Sequence, residues 1–110
     1  MGACTVSTTY YKGSSMPGGD GTTWACGTLA GPASYDAGGS VADLSSVFAS
    51  KVYAMRITPR GDATLNAKWV PGASNGSSLN KVFLDDNAGT EETGNHSGTT
   101  FDWFAIGTDG

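Results

Sequence analysis

The segment Phe101-Asp102-Trp103-Phe104-Ala105-Ile106 constrains the fold more than any other part of the chain. Phe101, Trp103 and Ala105 alternate with Asp102, Phe104 and Ile106, so a strand here is apolar on both faces. A strand of that kind belongs in the middle of a sheet, under a second layer, or against a neighbouring subunit.

Strand signals recur along the rest of the chain and helix signals are nearly absent. Residues 52–58 set Tyr53, Met55 and Ile57 against Ala54, Arg56 and Thr58, the pattern of a strand with one wet face. Pro59-Arg60-Gly61-Asp62 reads as a turn. In residues 63–70, Leu65, Ala67 and Trp69 fall on one face and Thr64, Asn66 and Lys68 on the other. A loop over 71–78, a strand over 79–84 and a long polar loop over 87–99 follow. Residues 4–11 are rich in Thr, Val and Tyr, types that suit a pleated surface. A glycine-rich arm at 12–21 leads to a short strand through Thr22, Trp24 and Cys26, ended by Gly31-Pro32. Residues 40–50 are ambiguous: Val41, Leu44, Val47 and Phe48 fit helical spacing, but a strand at 40–42 and a turn near 43–46 is the favoured reading. These signals predict an all-β fold, a small β-sandwich or β-barrel-like domain of about seven short, mainly antiparallel strands. Residues 1–34 form the N-terminal strands and arm, part of the same domain as the main β region 35–110.

Composition supports a packed domain. Glycine accounts for 17 of 110 residues and charged residues for only 15%, against about 25% in an average protein. Disorder is the competing reading, but disordered chains combine low hydrophobicity with high net charge. Here 38% of residues are hydrophobic, among them three Trp, four Tyr and four Phe. The net charge of −4 argues against nucleic acid and anionic membranes as partners. Its distribution is uneven. Lys51, Arg56, Arg60, Lys68 and Lys81 stand against Asp62 in the middle of the chain. After Lys81 come only acidic residues: Asp85, Asp86, Glu91, Glu92, Asp102 and Asp109. The two signs either neutralise each other within the fold or set the register of packing against neighbours. No run of 18 apolar residues spans a membrane, and no apolar leader follows Met1, so synthesis in the cytoplasm is expected.

Cys4 and Cys26 permit one intramolecular bridge, tying the N-terminal strand to the next. Two free buried thiols, as a reducing cytosol would keep them, are the favoured reading. His96, Ser97 and Asp102 are the residue types of a hydrolase triad, but neighbours in a loop point apart and no nucleophile elbow is present. Asp85-Asp86 and Glu91-Glu92 bracket a loop that a cation could occupy, without the spacing of a known calcium loop; a solvated acidic loop is the simpler reading. Arg60-Gly61-Asp62 matches an adhesion tripeptide and is more simply a tight turn. Trp24, Trp69 and Trp103 could stack on sugars, though in a domain this small most Trp side chains fill the core. No cofactor, metal or catalytic set is expected.

Three features together resemble small virion proteins of tailed bacteriophages. They are the stretch 35–48 (Tyr-Asp-Ala-Gly-Gly-Ser-Val-Ala-Asp-Leu-Ser-Ser-Val-Phe), the strand 51–58 followed by an aromatic strand ending in Trp69-Val70-Pro71, and the near-terminal 101–107. The resemblance covers roughly residues 35–107 and leaves out both cysteines. It implies a capsid decoration (cement) protein, a β-rich and often trimeric unit seated on the outer surface of the major capsid protein shell. On that reading the chain is a virion structural protein made in the host cytoplasm and is not an enzyme. Its expected partner contacts are Tyr11, Met16, Asp85, Glu91, Trp103 and Phe104. A carbohydrate-binding β-sandwich module, or a fibre or tail structural domain, is the alternative.

Overall fold

The computed structural model describes residues 2–13 and 22–108. Among them the strands are β1 (Thr5–Gly13), β2 (Thr22–Ala30), β3 (Ser40–Val41), β4 (Lys51–Pro59), β5 (Leu65–Val70), β6 (Lys81–Asp86) and β7 (Thr100–Thr108). Among the described residues the only helical piece is a 3-10 turn at Ala73–Asn75. The strands form two antiparallel sheets, one ordered β1-β2-β7-β4 and the other β3-β6-β5. The chain is therefore all-β and folds as a small β-sandwich, as its alternation predicts.

The strand that is apolar on both faces is central. β7 pairs with β2 on one side and with β4 on the other. Its inner residues Phe101, Trp103 and Ala105 are buried in the core. They meet Ala25 and Leu29 from β2 and Val52, Met55 and Ile57 from β4. The second sheet contributes Leu65, Val82 and Leu84, and the connections add Tyr35, Leu44, Val47 and Phe48. Each large side chain fully withdrawn from water contributes about 1.5–3 kcal/mol. Gly107 lets this packing close: a Cβ there would lie 2.2 Å from Lys51 O and 2.7 Å from the Phe48 ring.

Two sequence expectations need correction in detail. Tyr53 was expected on the face of Met55 and Ile57, but it is exposed while Val52 is buried. A bulge between Val52 and Ala54 adds one residue to β4 and reverses the alternation at that point. The strand expected at 79–84 runs instead from Lys81 to Asp86. Asn80 is buried ahead of it, donating to Ser77 O (2.7 Å), and Leu79 is exposed. In the ambiguous stretch the strand reading holds: β3 covers Ser40–Val41, and a turn follows in which Phe48 N–H donates to Leu44 O (2.8 Å).

The two sheets are stitched at the N-terminus. Cys4 forms a parallel bridge with Ala42, its N–H donating to Val41 O at 2.8 Å. β1 then runs out along the edge of the wider sheet, where the three-stranded sheet no longer covers it. Nearly all of its residues are exposed, on both faces.

Candidate docking surface

The outer face of the four-stranded sheet carries a row of aromatic side chains over which, among the described residues, no second layer lies. The pairings place Tyr11 of β1 beside Cys26 of β2, and Cys26 beside Phe104 of β7. Trp24 lies two residues from Cys26 on the same face. The Trp24 ring stacks on Tyr11 at a centroid distance of 4.4 Å and on Phe104 at 5.9 Å, with interplanar angles of 21° and 27°. Tyr11 is 53% exposed and Phe104 42%, and Trp24, Cys26 and Ile106 are half-buried between them.

Local sequence explains why the rings stand there. β1 shifts register between Thr9 and Tyr11, so Tyr10 and Tyr11 are both exposed side by side on the edge strand. Gly13 pairs with Trp24. A Cβ at position 13 would fall 2.4 Å from the indole Nε1 and 2.8 Å from Cε2, so the glycine leaves the space the indole occupies. An aromatic ring covering a glycine on the next strand also shields that bare backbone from water.

A polar margin borders the row. Arg60 donates to both oxygens of Asp102, its Nε–Oδ2 distance being 3.3 Å. This bond raises the guanidinium pKa above its ordinary value, and a hydrogen bond with Tyr10 acts in the same direction. Arg56 is exposed on β4, directly across from Phe104. Aromatic rings ringed by arginine and paired charges are the composition of protein interface centres and their rims.

The residues anticipated as partner contacts separate into two groups. Tyr11 and Phe104 lie together on this face. Trp103 does not: it is 2% exposed, turned inward by the strict alternation of β7. Asp85 is buried on β6, with Lys68 Nζ 3.3 Å from its Oδ2. Glu91 pairs back on Asp85 and accepts from the Tyr35 hydroxyl (2.8 Å) and the Gly38 N–H. The Tyr35 oxygen in turn accepts from the Leu84 N–H (3.1 Å). Asp85 and Glu91 thus hold the second sheet together. Burial, with help from Glu91, pushes the Tyr35 hydroxyl up from 10.0 to about 12. Met16 and most of the glycine-rich arm lie outside the described residues.

The bridge between Cys4 and Cys26 does not form; both are free. Cys4 sits in the core beside Ala42, where burial raises its thiol from 9.0 to about 11. Cys26 lies on the outer face opposite Tyr11. Cys4 precedes Thr5, which pairs with Ala30, so about five residues of strand, roughly 17 Å, separate the thiols. A disulfide tolerates no more than about 7 Å between Cα atoms.

The other anticipated constellations are taken up locally. His96 contacts Thr93 O (3.0 Å) and lies 3.6 Å from Glu92, while Asp102 is engaged by Arg60. Among the described residues no three His, Cys, Asp or Glu side chains cluster as metal ligands. Asp62 accepts from the Thr64 N–H (3.0 Å) and hydroxyl (2.8 Å), which lowers its pKa and closes the turn around Gly61. Trp69 donates to Asn80 Oδ1 (2.8 Å) and packs on the core. What sequence reading missed is Trp24 as a member of an outward row. The signal was its alternation with the inward Thr23 and Ala25, legible only once β2 is placed between two other strands. No protein-family model, curated protein or solved structure matches the chain.

Proposed function

We propose that the protein is a structural docking subunit, a virion component of the capsid-decoration type, which packs against further copies of itself through the outer face of the β1-β2-β7-β4 sheet. The observation that carries the reading is the uncovered row Tyr11–Trp24–Phe104. Apolar rings on an open sheet face gain free energy by burial against a second surface. The long edge strand β1, exposed on both faces beside that row and paired among the described residues with β2, supplies further contact area and a sheet edge. A trimer is the form that the sequence resemblance implies, with the major capsid protein as the shell beneath it.

The carbohydrate-binding reading has less support. A sugar platform needs open indole faces, and Trp24 gives one face to Tyr11, Trp69 packs on the core, and Trp103 is buried. Native mass spectrometry, together with co-sedimentation on expanded tailed-phage heads, tests the proposal. An oligomer that dissociates on Tyr11→Ser or Phe104→Ser supports it. A monodisperse monomer that binds no heads overturns it, as does glycan binding that those substitutions abolish.

A further inference from the structure

The outer face of the wider sheet is lopsided from one edge to the other. Two rows of side chains cross it at right angles to the strands. One reads Tyr11, Cys26, Phe104 and Arg56 from β1 to β4, and the next reads Gly13, Trp24, Ile106 and Ala54. At the β1 end stand two stacked rings, because the Trp24 indole leans over Gly13 onto Tyr11. At the β4 end stand only the small Ala54 and the cation Arg56, both exposed. Among the described residues no carboxylate pairs with Arg56, whereas Arg60 is held by Asp102. Bulk and electron-rich ring faces thus lie at one edge, and a hollow and an unpaired positive charge at the other.

We propose that this face takes one second copy of the chain across a two-fold axis parallel to the strands, an inference that rests on the docking role of the aromatic row. Such an axis reverses the order of the strands and keeps each residue at its level along them. β1 of each copy then lies over β4 of the other, and β2 over β7. The second copy's Arg56 meets the open face of the Tyr11 ring, whose quadrupole attracts a guanidinium. The second copy's Ala54 meets the raised Trp24 indole, so the hollow of one copy receives the bulk of the other. Each match occurs twice, since a two-fold interface is isologous. Packed sheets usually cross at about 30°, which moves the ends of a row by a few ångströms, a shift the long arginine side chain absorbs. An axis running across the strands instead lays β4 on β4. It brings the two Arg56 charges to the same edge and sets one hollow beside the other. Charge and shape both select the axis along the strands.

The size of the face suits one partner. Four strands of nine residues, at about 4.8 Å between strands and about 3.3 Å per residue, span roughly 600 Å² on each copy. A pair buries about 1,200 Å², the lower bound of specific interfaces. A contact made by the same face on both sides closes on itself and leaves no place for a third copy.

Sedimentation equilibrium, together with isotope-filtered NMR on a half-labelled sample, tests the pairing. The expected result is a dimer with cross-relaxation between the Tyr11 ring of one copy and the Arg56 side chain of the other. Arg56→Glu should weaken the dimer about tenfold or more, and Arg56→Lys, which keeps the cation, much less. Arg56 is exposed, so its replacement leaves the core intact. A trimer, an oligomer without that contact, or a dimer indifferent to Arg56→Glu overturns the two-fold pairing. If Tyr11→Ser still dissociates such an oligomer, the docking role of the face stands without it. A monomer at every concentration overturns both.

Discussion

The indole of Trp24 occupies the space left by the missing side chain of Gly13, its partner on the neighbouring strand. The stacked row is therefore a product of a glycine as much as of three aromatic residues. Gly13→Ala pushes the ring off Tyr11 and removes a stacking contact worth about 0.5–1.5 kcal/mol. The expected outcome is an unfolding free energy lower by about that amount, with a changed near-ultraviolet circular dichroism signal. An unaltered aromatic spectrum would show that the ring does not depend on the glycine.

Tyr11→Ser and Phe104→Ser remove exposed rings and leave the core side chains untouched. The isolated subunit should lose only the stacking on Trp24, about 0.5–1.5 kcal/mol of stability. Association should weaken by about 2 kcal/mol or more if these rings sit at the centre of an interface. Sedimentation equilibrium against concentration reads the difference.

Alkaline pH should lower the protein's stability through two groups. Both Cys4 and Tyr35 have folded pKa values above their ordinary ones, 9.0 to about 11 and 10.0 to about 12. Above the ordinary value the folded chain holds the proton that the unfolded chain has released, so stability falls as pH rises. The Cys4 contribution is intact below about pH 9 and gone above about 11; that of Tyr35 is lost between about 10 and 12. Urea midpoints across this range should show a smaller early loss for Cys4→Ala and a smaller late loss for Tyr35→Phe. At neutral pH Tyr35→Phe should still cost about 1–3 kcal/mol, because the buried Leu84 N–H loses its acceptor.

The two inward-facing tryptophans should respond differently to replacement by phenylalanine. Trp103 is buried with no hydrogen-bond partner for its Nε1, whereas Trp69 donates to the fully buried Asn80. Trp103→Phe removes an unsatisfied donor, which offsets part of the cavity it leaves. Trp69→Phe strands the Asn80 oxygen. Denaturant titration should find Trp69→Phe the more destabilising by about 1 kcal/mol.

How much of this was legible in the sequence depended on how each strand is buried. β5 and β7 read correctly because each alternates strictly against a core, so Leu65, Ala67 and Trp69, or Phe101, Trp103 and Ala105, declare their side. β4 misled at Tyr53 because a bulge is set by its pairing with β7, not by its own residues. β1 gave composition but no face, since nearly all of its residues are exposed on both sides. The aromatic row joins positions 11, 24 and 104 through two strand pairings, a relation that no local pattern contains.

The central place of β7 has a consequence for how the chain comes into being. Its residues 100–108 lie between β2 and β4, which meet only through them. As a ribosome extends the chain, β1, β2 and β4 emerge while the strand that joins them is still unmade. Two halves of a sheet must wait with open edges, and such edges invite pairing with other chains. Folding is thus deferred until residue 108 clears the exit tunnel. A nascent chain stalled before residue 100 should then be protease-sensitive throughout, since its largest sheet still lacks its middle.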